Sequence, residues 1–116
     1  MAQTPEAKIK AKITKVLREE GVYYFFPATG GYGRSGVPDI VCCVSGMFLG
    51  IECKAGKNKP TALQANELEA IRRAGGVAIV ANEENWDMVR AVVRELSLKE
   101  QTDGANARSK DQSQDH

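Results

Sequence analysis

Apolar residues first recur at helical spacing, with Ile9, Ile13, Val16 and Leu17 forming one stripe that is preceded by Thr4-Pro5-Glu6 and followed by Gly21. A threonine N-cap, a proline at the first helical position and a glycine C-cap predict a helix over about residues 5–20. The period then changes. Val22-Tyr23-Tyr24-Phe25-Phe26 is β-branched and aromatic and predicts a strand, whereas Pro27 to Pro38 carries four glycines and no apolar run and reads as a loop. Ile40–Val44 and Met47–Cys53 are strand-like runs joined by Ser45-Gly46, a two-residue connection of hairpin type. Lys57-Asn58-Lys59-Pro60 reads as a turn. Thr61 caps a second helix that runs to about Ala74 with Leu68 and Ile71 inward, and Gly75-Gly76 stops it. Val77–Ala81 is apolar throughout, as in a strand covered on both faces. A last helix, from about Glu83 to Leu98, presents Trp86, Val89, Val92, Val93 and Leu96.

From Lys99 onward only two alanines are apolar, which predicts a disordered polar tail over 99–116 after one folded domain over 1–98. The element order α-β-β-β-α-β-α defines the fold class as α/β. Hairpin-linked strands followed by a β-α-β crossover require a mixed sheet flanked by helices, because the crossover forces one parallel pairing.

Composition narrows the chemistry. A chain of 116 residues holds one domain, and no run approaches the roughly 18 apolar residues of a membrane span. The N-terminus, with four lysines between Lys8 and Lys15, lacks the apolar core of a signal peptide, so the chain reads as intracellular. Cys42, Cys43 and Cys53 have no C-x-x-C spacing and read as small buried hydrophobes. The only histidine is His116, which removes Ser-His-Asp, Cys-His and histidine-zinc chemistry from the body of the fold. Carboxylates, lysine and metal remain. The formal net charge is +1, but residues 1–59 carry nine Lys/Arg against five Asp/Glu while residues 60–98 carry four against six. The first half is therefore the better face for a polyanion.

The hairpin locates the chemistry. If Ser45-Gly46 is a two-residue turn, Val44 faces Met47, Cys43 faces Phe48, Val41 faces Gly50 and Asp39 faces Glu52. Like charges opposed across a ladder are destabilising, and a hard divalent cation offsets the repulsion. Strand alternation puts Gly50, Glu52 and Lys54 on one face, so Lys54 projects beside the carboxylates and Gly50 is expected to leave open space there. Glu6, three residues before Ile9, and Gln64, four before Leu68, each extend an inward helix face. Gly31-Tyr32-Gly33-Arg34-Ser35-Gly36 matches the dinucleotide pattern literally, yet Val37-Pro38-Asp39 leads into a strand where that motif must open a helix. Its glycines suit a flexible loop approaching a DNA backbone, with Arg34 or Ser35 touching phosphate.

Ser35-Gly36-Val37-Pro38-Asp39, then Ile51-Glu52-Cys53-Lys54, then Gln64 on the next helix, with Glu6 on a leading helix, resembles the PD-(D/E)XK nuclease superfamily. Within it the chain looks most like the VRR-NUC (virus-type replication-repair nuclease) family, particularly its short stand-alone phage-type members. The likeness spans about residues 4–98 and leaves the tail outside. It implies a restriction-endonuclease-like core and a Mg²⁺-dependent, structure-selective DNA endonuclease, with Mn²⁺ as substitute, acting on branched DNA such as Holliday junctions in replication, recombination or repair. Asp39 and Glu52 would ligate metal, joined by the backbone carbonyl of Cys53 and by Glu6. Lys54 would position or activate the water, and Glu6 and Gln64 would support metal, water or phosphate. Lys8, Lys12, Lys57 and Lys59 join Arg34 and Ser35 as expected DNA contacts. Similarity to Holliday-junction resolvases implies a homodimer in the cytoplasm of a bacterial or phage-infected cell, with any helicase partner unspecified. The alternative is a catalytically weak DNA-binding or assembly module on the same fold.

Overall fold

The computed structural model describes residues 3–28 and 33–98. Helix α1 spans Pro5–Glu19, and its N-cap is Thr4, whose hydroxyl oxygen accepts from the Ala7 amide at 3.1 Å. The strands are β1 (Tyr23–Phe25), β2 (Ile40–Val44), β3 (Met47–Cys53) and β4 (Val77–Ala81), and α2 (Ala62–Arg73) crosses between the last two. Helix α3 occupies residues 88–98. The sheet order is β1-β2-β3-β4, antiparallel except for the β3/β4 pair, so the mixed α/β sheet is as the element order required.

Ser45 (φ 49°) and Gly46 (φ 86°) both adopt the left-handed region, the requirement of a two-residue turn whose twist matches its strands. The ladder pairs Val44 with Met47, Val41 with Gly50 and Ile40 with Ile51, the register read from the turn. One sheet face carries the core. Ile9, Ile13, Val16 and Leu17 of α1, with Val89, Val93 and Leu96 of α3, pack on Ile40, Cys42, Leu49, Ile51, Cys53 and Ala81. Helix α2 covers the other face, with Leu68 buried and Ile71 reaching the β3 backbone at Gly50. Arg90 bridges Glu19 and Glu20 at 2.6 Å each, tying the end of α1 to α3, although such exposed pairs contribute little apiece.

Four expectations change. Residues 83–87 form turns and the helix starts at 88, because Asn82 Oδ1 accepts from the Glu84 and Asn85 amides while Asn85 Oδ1 accepts from the Asn82 amide. β4 is an edge strand, with only Ala78 and Ala81 buried. Cys43 is exposed, since strand alternation turns it away from buried Cys42. The space over Gly50 is filled: a Cβ there would meet Pro38 Cγ at 2.9 Å and Ile71 Cδ1 at 3.0 Å. The 99–116 tail lies outside the described residues, among which no helix is long and apolar enough to cross a membrane.

Candidate active site

The approach to β2 is fixed by contacts with α2. Gly36 (φ +79°) lies so close to the helix that a Cβ would stand 2.8 Å from the Leu63 backbone, a site open only to glycine. Arg34 forks onto Glu67, donating from Nε at 3.0 Å and Nη2 at 2.7 Å. Pro38 is buried against Gly50. The segment therefore delivers Asp39 at the end of the ladder, one residue before the Ile40–Ile51 pair.

There Asp39 Oδ2 accepts the backbone N–H of Cys53 at 2.8 Å. Glu52, on the neighbouring β3 position, is only 1% exposed. Burial, a side-chain hydrogen bond with Asp39 and the Asp39 charge push its carboxyl up to about 8; Lys54 opposes the shift and Glu6 adds to it. Burial beside the Asp39 charge thus favours the protonated form of the Glu52 carboxyl. Glu52 Oε2 is buried with no hydrogen-bond partner. An orphaned buried carboxyl oxygen is costly and calls for an explanation in function. Cys53 lies beneath the same charges: burial first, then Asp39 and Glu52, push its thiol up to about 12.

The charges of Lys54 and Glu6 both act on Glu52, Lys54 lowering and Glu6 raising its carboxyl, while Glu6 does not join Asp39 and Glu52 in a cluster of three acidic side chains. Lys54 is half-buried just beyond β3, its amide donating to Ala81 O at 2.9 Å. Gln64 behaves otherwise. Its side-chain oxygen accepts from the Thr61 amide at 2.8 Å, and its own amide donates to the Thr61 hydroxyl, so it closes a capping box on α2. Arg34, expected at phosphate, is committed to Glu67. Ser35 is exposed in a turn. Lys8 is exposed, Lys12 sits 5.3 Å over the Trp86 ring, and Lys57 and Lys59 are exposed on the loop that leaves β3. Sequence reasoning missed Lys10, whose ammonium lies 4.1 Å over the Phe26 ring and whose charge reaches Cys53. The available signal was its position one helical turn after Glu6.

Among the described residues no three or more His, Cys, Asp or Glu side chains converge as a metal cluster. The donor set still suits a hard cation of the Mg²⁺ type, which takes one or two protein carboxylates and completes its shell with water and phosphate oxygens. Asp39, Glu52 with its unpartnered Oε2, and the Cys53 carbonyl are the groups that could hold it.

The chain thus sets an Asp before one strand and a Glu-x-Lys at the end of the next in a four-stranded mixed sheet, with a Glu on the leading helix. The family profile of the archaeal Holliday junction resolvase (Hjc) matches residues 7–112, and the chain belongs to that family. Among solved structures, a VRR_NUC domain protein superposes with TM-score 0.62 at 18% identity, over 83% of this chain and 90% of the other. A VRR_NUC domain superposes with TM-score 0.66 at 22% identity, over 79% and 97%. Archaeoglobus fulgidus Hjc, a Holliday junction resolvase, gives TM-score 0.51 at 25% identity over 66% of each chain. No curated protein sequence matches.

Proposed function

We propose that the protein is a Mg²⁺-dependent, structure-selective endonuclease that hydrolyses phosphodiester bonds in branched DNA such as Holliday junctions, working as a homodimer. The observation that carries this reading is the buried Glu52 Oε2 without a partner, set beside Asp39 and in the field of Lys54. Asp39 and Glu52, with the Cys53 carbonyl, would hold the cation, and Glu6 would support it. Bound Mg²⁺, or Mn²⁺ in its place, supplies Lewis-acid polarisation of the phosphoryl oxygen and a more acidic water. The chain's own residues do the rest. The Cys53 N–H holds one Asp39 oxygen in place. Glu52 gives up its proton when it becomes a ligand. Lys54 orients the attacking water or the scissile phosphate and stabilises charge that develops in the transition state. Gln64 contributes through the placement of α2.

The test is cleavage of linear, flap and four-way substrates with Mg²⁺ and with excess EDTA. Preferential cutting of branched substrates that EDTA abolishes is expected. Undiminished cutting in EDTA, or no cutting of any DNA with Mg²⁺, would overturn the proposal.

A further inference from the structure

Two troughs flank α1, and their charges differ. One, of about 280 Å³, is lined by Lys12, Lys15, Glu19, Trp86, Asp87 and Arg90, so its cations stand among carboxylates. The other, of about 290 Å³, is lined by Ala7, Lys10, Ala11, Thr14, Arg18 and Phe26 and carries no carboxylate. Its floor is made of small residues. Among the described residues, neither Lys10 nor Arg18 has a carboxylate partner, although five other ion pairs form on this small surface. Lys10 is also held in place: its ammonium lies 4.1 Å over the Phe26 ring, which is 47% exposed and leans on Tyr24 at 5.9 Å between centroids. A cation fixed over an aromatic face loses little rotamer freedom on meeting an anion.

Position completes the picture. Lys10 follows Glu6 by one helical turn, so of the two cations in the trough it is the one nearer the candidate site residue on α1. Arg18 lies eight residues further along α1, about 12 Å at 1.5 Å per residue. That distance corresponds to roughly three to four nucleotides at about 3.4 Å of rise per strand phosphate.

We propose that the Lys10–Arg18 trough of α1, with Phe26 pinning Lys10, is the track that receives the sugar-phosphate backbone next to the scissile phosphate. The inference rests on the nuclease reading and specifies which face of α1 meets DNA. The Lys10 face binds, in place of the Lys12 face, which lies against Trp86 in the trough that also holds Glu19 and Asp87. Binding is independent of base sequence, because every contact is to phosphate.

The experiment measures affinity for a four-way DNA junction in EDTA over a salt series, for wild type and for Lys10→Ala, Arg18→Ala, Phe26→Leu and the Lys10/Arg18 double variant, each checked for folding by circular dichroism. Each lost phosphate contact lowers the slope of log K against log salt by about 0.9, so the double variant should lose about 1.8. Phe26→Leu and Lys10→Ala should be less than additive in affinity, since both disturb one ammonium. Should Lys10→Ala fail to fold, Lys10→Gln replaces it. A wild type that binds and cuts junctions while the double variant keeps its affinity and slope would overturn the track alone. A wild type that neither binds nor cuts DNA would overturn the nuclease reading beneath it.

Discussion

Glu52→Gln is the most informative single substitution, because it replaces a buried carboxyl by a neutral group of the same shape that cannot ionise. In the metal-free protein Glu52 is pushed from 4.5 up to about 8, chiefly by burial and then by Asp39. A folded-state value above the unfolded one contributes stability that is fully present below pH 4.5 and is lost as pH rises through about 8. At about 1.36 kcal/mol per unit, the loss across that window is on the order of 4 kcal/mol. Glu19, Glu20, Glu67 and Glu83 are shifted downward by arginines or by the Gly56 amide; their contributions are complete above pH 4.5 and cancel between the two proteins. Urea unfolding in EDTA should therefore show Glu52→Gln close to wild type near pH 5 and more stable than wild type at pH 8. Mg²⁺ should narrow that gap at pH 8, since a ligand at a hundred times its dissociation constant adds about 2.7 kcal/mol, against a deficit of about 4 kcal/mol, and does so only where the site survives. Parallel pH profiles of the two proteins, or a variant several kcal/mol less stable in EDTA at pH 8, would refute the reasoning and make Glu52 a structural partner.

Other outcomes follow from the same geometry. Lys54→Ala should fold and bind DNA but cut at least about a hundredfold more slowly, as when one positioned electrostatic group is lost; full single-turnover activity would contradict its role. Gly50→Ala should destabilise by about 1–3 kcal/mol in thermal unfolding, because its methyl group would press on Pro38 and Ile71 at 2.9 and 3.0 Å. Light scattering at micromolar concentration should give twice the chain mass, and a clean monomer with and without junction DNA would contradict the homodimer.

Much of the site was legible because it depends on local rules. Ser45-Gly46 sets a two-residue turn, the turn sets the register through Ile40–Ile51, and Asp39 and Glu52 follow that last pair on their two strands. Glu6 follows from helix phase. What failed depends on long-range docking. Gly50 looked open opposite Val41, but Pro38 and α2 close over it, and no local pattern announces that. Arg34 finds Glu67 across 33 residues, so its charge is spent within the fold. Gln64 was legible in principle, since Thr61-x-x-Gln64 is a capping-box pattern that ranks ahead of any role at phosphate. The start of α3 moved because Asn82 and Asn85 bond each other's backbone, an exchange that side-chain periodicity does not report.

The most direct measurement is calorimetric titration of Mn²⁺ into wild type, Asp39→Asn and Glu52→Gln at pH 7 in buffers of different ionisation enthalpy. A cation held by the Asp39–Glu52 pair must displace the Glu52 proton, so wild type should bind with release of about one proton per site, and both variants should lose binding. Binding of equal affinity in all three proteins, with no proton released, would place the metal elsewhere and contradict the account.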